Sequence, residues 1–97
     1  MIQPHSFQLG DVVNYHYTQG IIIYLESPSN IVIRTFSLTP GGQVRQRIDC
    51  FCHPMNLTLA NEQEHCSFYQ KVLMIHRRTR RSVPKNIYDL IVNKLTN

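Results

Sequence analysis

Hydrophobic and polar positions alternate through the first sixty residues and then change period. From Gly10 to Leu38 the chain reads GDVVNYHYTQGIIIYLESPSNIVIRTFSL, which predicts three strands joined by two tight turns. In the first, about Asp11 to Thr18, Val13, Tyr15 and Tyr17 share one face and Val12, Asn14 and His16 the other. Thr18-Gln19-Gly20 reads as the turn, with Gly20 supplying backbone freedom. The second strand, about Gly20 to Glu26, is apolar on both faces through Ile21, Ile22, Ile23, Tyr24 and Leu25, as expected of a central strand covered on both sides. Ser27-Pro28-Ser29-Asn30 turns the chain into a third strand, about Ile31 to Leu38.

Thr39-Pro40-Gly41-Gly42 fits a type II turn. A fourth strand, about Gln43 to Cys52, places Val44, Gln46, Ile48, Cys50 and Cys52 on one face and Arg45, Arg47, Asp49 and Phe51 on the other. His53-Pro54 ends it, and Leu57-Thr58-Leu59 forms a short fifth strand. Five short strands separated by turn signals predict a small barrel or half-open roll.

Leu9-Gly10-Asp11-Val12-Val13, Gly20 opening the second strand, the apolar third strand, and Pro54 followed by Leu57 and Leu59 carry a resemblance. Over residues 9–60 the pattern resembles SH3-like barrels of the KOW and Tudor type. The resemblance implies a five-stranded barrel in which a single helical turn after a proline leads into the closing strand.

From Asn61 the period becomes helical. Asn61-Glu62-Gln63-Glu64 is a capping box, and the helix it opens runs to about Arg78. Cys66, Tyr69, Val72, Leu73 and His76 form its apolar stripe, and Phe68 and Ile75 widen it to about half the circumference. So wide a face must meet a last helix or another chain. Thr79 to Val83 breaks the pattern, and Pro84 opens a helix to about Leu95 whose inner side is Ile87, Leu90, Ile91 and Leu95. The expected fold class is therefore α+β. A five-stranded SH3-like barrel (residues 1–60) precedes a two-helix extension (residues 61–97) packed on it as one structural domain.

Charge sharpens the functional reading. The net charge is +4 and the pI about 9.2, and six of the ten Lys and Arg residues lie between Lys71 and Lys85 with no acid among them. Arg77, Arg78, Arg80, Arg81 and Lys85, assisted by Arg45 and Arg47, are the candidate phosphate contacts, for guanidinium forks match phosphate oxygens. Cations at a helix end also answer the helix dipole, so the same cluster can be purely structural. Two function classes follow. The first is a non-enzymatic module binding nucleic acid or a ribonucleoprotein. The second is a protein-interaction adaptor or inhibitor that uses Phe68, Val72 and Ile75 on the broad helix face, or meets an acidic protein surface, and forms a homodimer.

The aromatic residues Tyr15, His16, Tyr17, Tyr24, Phe36 and Phe51 can stack bases if exposed, but in a chain without Trp they read first as packing. Cys50, Cys52 and His53 with His65 and Cys66 are the candidate zinc set. The single residue between Cys50 and Cys52 breaks the usual spacing, so buried thiols are expected and no metal or cofactor. No acid–base pair or phosphate-cradling glycine loop is present, so no enzyme is expected. The longest apolar run, Ile21 to Leu25, is too short to span a membrane, so no membrane partner is expected. The odd cysteine count and the lead-in MIQPHSFQLGD point to reduced thiols and a cytoplasmic location.

Overall fold

The strands lie where β-branched residues concentrate. The computed structural model describes residues 7–15, 18–27, 30–41, 43–51, 57–79 and 83–96. The elements are β1 (Val12–Tyr15), β2 (Thr18–Ser27), β3 (Asn30–Leu38), β4 (Val44–Phe51), β5 (Thr58–Leu59), α1 (Glu62–Arg78) and α2 (Lys85–Thr96). They make one antiparallel sheet, ordered β4-β3-β2-β1-β5, followed by two helices, as the α+β expectation required. Four strands meander and the fifth returns beside the first. The sheet is open among the described residues, with β4 and β5 at opposite edges, so the expected barrel is a half-open roll here.

Two local expectations are corrected. Tyr15 pairs directly with Thr18, and the Thr18 hydroxyl donates to the Tyr15 carbonyl at 3.0 Å. Thr18-Gln19-Gly20 is therefore strand rather than turn, and the expected strand residues His16 and Tyr17 lie outside the described residues. Gly20 is needed for space instead. A Cβ there would stand 2.9 Å from Ile33 Cδ1 and 3.2 Å from the Arg34 carbonyl oxygen. The positive φ falls at Gly10 (88°), just before β1. Gly41 has no positive φ, so Thr39-Pro40-Gly41 is not a type II turn. The Thr39 N–H donates to the Gln43 carbonyl at 2.8 Å and the Gln43 N–H to the Thr39 hydroxyl at 3.0 Å, closing a wider connection.

The doubly apolar β2 is covered on both faces. Ile21 packs on one side with Val12, Phe36, Phe68, Tyr69, Val72, Ile75, Ile87 and Ile91. Ile22 packs on the other with Val13, Ile31, Ile33 and Leu57. Burying each such side chain is worth about 1.5–3 kcal/mol against leaving it exposed. Bulges between Ile22 and Tyr24 and between Leu25 and Ser27 bend β2 and add twist.

The helices cover the Ile21 face. Asn61 accepts from the Glu64 N–H at 2.8 Å and Glu64 accepts from the Asn61 N–H at 3.1 Å, the capping box read from sequence. The apolar stripe is rotated from the expected one. Phe68, Tyr69, Val72 and Ile75 are buried while Cys66 is exposed. Phe68, Val72 and Ile75, expected at an interface with another chain, lie inside this chain's own core with 2%, 0% and 2% of their surface exposed. Sheet and second helix together consume the width of the face, and His76 stacks on Tyr88 across the helix pair at 4.4 Å. In α2, Ile87 and Ile91 point inward, Leu90 is half-buried, and Leu95 is exposed, contrary to expectation, because it lies a turn beyond the sheet contact.

The last helix also reaches the lead-in to β1. Lys94 Nζ lies 3.0 Å from Asp11 Oδ1 and 3.0 Å from Gln8 Oε1. Gly10 N–H donates to the Ile22 carbonyl at 2.8 Å, and the Tyr69 hydroxyl donates to the Gly10 carbonyl. No described helix is long and apolar enough to cross a membrane.

Candidate functional site

β2 and β3 are partners for only part of their length. Their pairing ends at Ile21 opposite Arg34. Beyond that point Thr18, Gln19 and Gly20 stay with β1, whereas Thr35 to Leu38 stay with β4. The two strands part, and a cleft of about 860 Å³ opens between them. Two contacts brace the parted strands against α1. The Gln19 amide donates to Glu64 at 2.9 Å, and Lys71 Nζ donates to the Phe36 carbonyl at 3.4 Å. Lys71 thereby serves a strand carbonyl that has no β2 partner, and its ammonium also sits 5.3 Å from the Phe68 ring centroid.

Among the described residues, every charged group lining the cleft is positive: Arg45, Arg47 and Lys71. Arg45 lies opposite Ser37 and Arg47 opposite Thr35, so cations and hydroxyls alternate along one wall. Asn14, Thr18 and Gln19 supply amide and hydroxyl groups from the facing side. Both arginines are exposed at the rim, and Arg47 also makes a contact within the protein. Behind the wall, Arg34 donates to Gln46 Oε1 at a long 3.4 Å, and its Nε is buried without a hydrogen-bond partner among the described residues. An unpartnered buried donor costs about 1–3 kcal/mol. A concavity with one sign of charge concentrates counter-ions of the other.

The helix-end cluster is only partly on view. Arg77 and Arg78 close α1 and Lys85 opens α2; all three are exposed, with no ion pair among the described residues. Arg80 and Arg81 lie outside the described residues. Seven residues is nearly two helical turns, so Arg78 falls on the stripe of Lys71, about 10.5 Å further along the axis. The stripe Lys71–Arg78 thus continues the cleft's charge along the helix surface, whereas Lys85 belongs to the other helix.

Of the zinc set, His65 and Cys66 are the members whose side chains are described. No group of three metal-binding side chains occurs among the described residues. His65 is already bonded through both ring nitrogens, accepting from the Val12 N–H at 3.0 Å and meeting the Asn61 carbonyl at 2.9 Å. It stands in for the strand acceptor that β5 no longer supplies once the chain turns into α1. Cys52 and His53 lie outside the described residues, and Cys50 is placed by its backbone opposite Val32. Among the aromatics, Phe36 is buried, Tyr15 packs against the second core, and Tyr24 is exposed. His16 and Tyr17 lie outside the described residues, and Phe51 is placed by its backbone opposite Ile31. The Tyr69 phenol is driven far from its ordinary range. Burial pushes its phenol up, and the negative charges of Asp11 and then Cys66 add to the shift.

No family model, no curated protein and no solved structure matches this chain.

A second, smaller groove of about 360 Å³ lies beside α2, floored by Leu9, Ile23 and Leu90. Among the described residues its one charged lining group is Asp89, so it does not suit an anion. Sequence reading chose Arg45 and Arg47 but left Lys71 among the general basic cluster. The signal that finds it is cross-strand. Counting back from the Thr39–Gln43 connection pairs Ser37 with Arg45 and Thr35 with Arg47, and the break in β2 pairing then admits the helix lysine.

Proposed function

We propose that this chain is a non-enzymatic, cytoplasmic binding module of the SH3-like kind that associates with nucleic acid or a ribonucleoprotein. The observation that carries the reading is the cleft between β2 and β3, whose charged lining is cationic among the described residues. Arg45, Arg47 and Lys71 make the inner set of phosphate contacts, and Arg77, Arg78, Arg80, Arg81 and Lys85 the outer one. The order of the strands, a meander with the fifth returned to the first, supports the SH3-like assignment. The exposed, unpaired Cys66 accords with a reducing compartment. An adaptor working through Phe68, Val72 and Ile75 loses its support, because those side chains are already buried.

The test is a fluorescence-polarisation titration against a mixed-sequence oligonucleotide at low and moderate salt. Each neutralised phosphate adds about 0.7 to the salt slope for single strands and about 0.9 for duplex. Arg45, Arg47, Lys71 and Arg78 together then give a slope of about −3 or steeper. No binding at low salt eliminates the reading. Displacement by polyglutamate as readily as by oligonucleotide moves it to an acidic protein surface.

A further inference from the structure

We infer that the nucleic acid this site takes is single-stranded, held by its backbone with little reading of base identity; the inference rests on the nucleic-acid reading above. Three features of the cleft support it.

The first is shape. The inner cations line a concavity between two parted strands, with Lys71 reaching in from the helix layer to the Phe36 carbonyl at 3.4 Å. A duplex is a convex cylinder that meets the rim arginines but leaves the half-buried Lys71 out of reach. A single strand can lie inside it.

The second is spacing. Arg45 and Arg47 are two apart on one strand face, which sets their side chains about 6.8 Å apart. That matches one nucleotide step of an extended strand, so the two forks can meet successive phosphates. Lys71 enters the same cleft from α1.

The third is the rest of the lining. Asn14 carries an amide that both donates and accepts, and can pair with unstacked base edges of any kind. The ring in the wall, Phe36, is 3% exposed and offers no stacking face. Affinity therefore falls on charge, and preference among bases is small.

The experiment titrates the full chain with a fluorescent mixed-sequence single strand, the same sequence as a duplex, and homopolymer single strands of each base, at one low salt concentration. The single strand is expected to bind at least tenfold more tightly than the duplex, and the homopolymers to agree within about fivefold. Arg45→Gln with Lys71→Gln, both at solvent-reached positions, lowers single-strand affinity at least tenfold and reduces its salt slope by about 1.4. Circular dichroism and the urea midpoint confirm that the variant is folded. As a second variant, Arg77→Gln with Arg78→Gln leaves the preference for single strand over duplex in place. Equal or tighter duplex binding overturns the inference and leaves the nucleic-acid reading standing. Binding to neither form overturns both. A cleft variant with unchanged affinity and slope places the contact elsewhere and overturns the inference.

Discussion

Ile75 and its neighbour Met74 separate a core role for α1 from an interface role. Ile75 is 2% exposed between the sheet and α2, whereas Met74 is 44% exposed on the outer side of the same turn. Ile75→Ala removes three carbons, and at about 0.8 kcal/mol each the lost transfer free energy alone is ~2.4 kcal/mol. The cavity left among Phe36, Val72 and Ile87 adds to this, and large-to-Ala changes at such sites cost about 2–5 kcal/mol. For a domain of this size each kcal/mol moves Tm by about 4–8 °C, so a fall of at least ~10 °C is expected. Met74→Ala lies outside that packing and shifts stability by about 0.5 kcal/mol or less. Urea unfolding followed by circular dichroism, with light scattering on the same samples, reads both quantities. A small loss for Ile75→Ala accompanied by a change in molecular mass would mean that the helix face serves another chain, and would refute the placement of Ile75 in the core. Should Ile75→Ala be too unstable to purify, Ile75→Val, expected to cost about 0.5–1.5 kcal/mol, supplies the same comparison.

Two further outcomes follow from the contacts around the lead-in to β1. Gly10→Ala forces a side chain into a φ of 88° and sets a Cβ 3.2 Å from Lys94 Cγ and Cε; the backbone strain alone is about 1–2 kcal/mol, and a urea midpoint unchanged from the parent would contradict it. Tyr69→Phe removes the donor to the Gly10 carbonyl and costs about 1–3 kcal/mol at neutral pH. Because the folded phenol is pushed up by burial, it keeps its proton where the unfolded one, near pH 10, has lost it. The stability this contributes is fully present below about pH 10 and is lost as pH rises further, at up to ~1.4 kcal/mol per pH unit. Urea midpoints from pH 7 to 11 should therefore fall more steeply for the parent than for Tyr69→Phe, and parallel curves would remove the phenol from this account.

The elements were legible in the sequence wherever a local signal was unambiguous. The apolar run Ile21 to Ile23 marked β2, and Asn61 with Glu64 marked the start of α1, because each signal is completed within a few residues. What stayed hidden depended on partners distant in sequence. Gly20 read as a turn residue since glycine permits turns, but its use is to admit Ile33 from the neighbouring strand. Half the circumference of α1 is apolar, so its inward direction could not be fixed until both the sheet and α2 were in place, and Cys66 was assigned inward while Phe68 was assigned to a surface. Arg45 and Arg47 were identified as solvent-facing by alternation alone. The cleft they line was not, because the parting of β2 from β3 comes from tertiary bracing by Glu64 and Lys71.

The ion pair between Lys94 and Asp11 spans 83 positions in the chain. A ribosome that has just released Asp11 must make five strands, α1 and most of α2 before the matching ammonium exists. Throughout that interval Val12 and Ile21 face water, since the helices that shelter them are still being made. Shelter of the Ile21 face from water should thus come late, once α2 has left the exit tunnel.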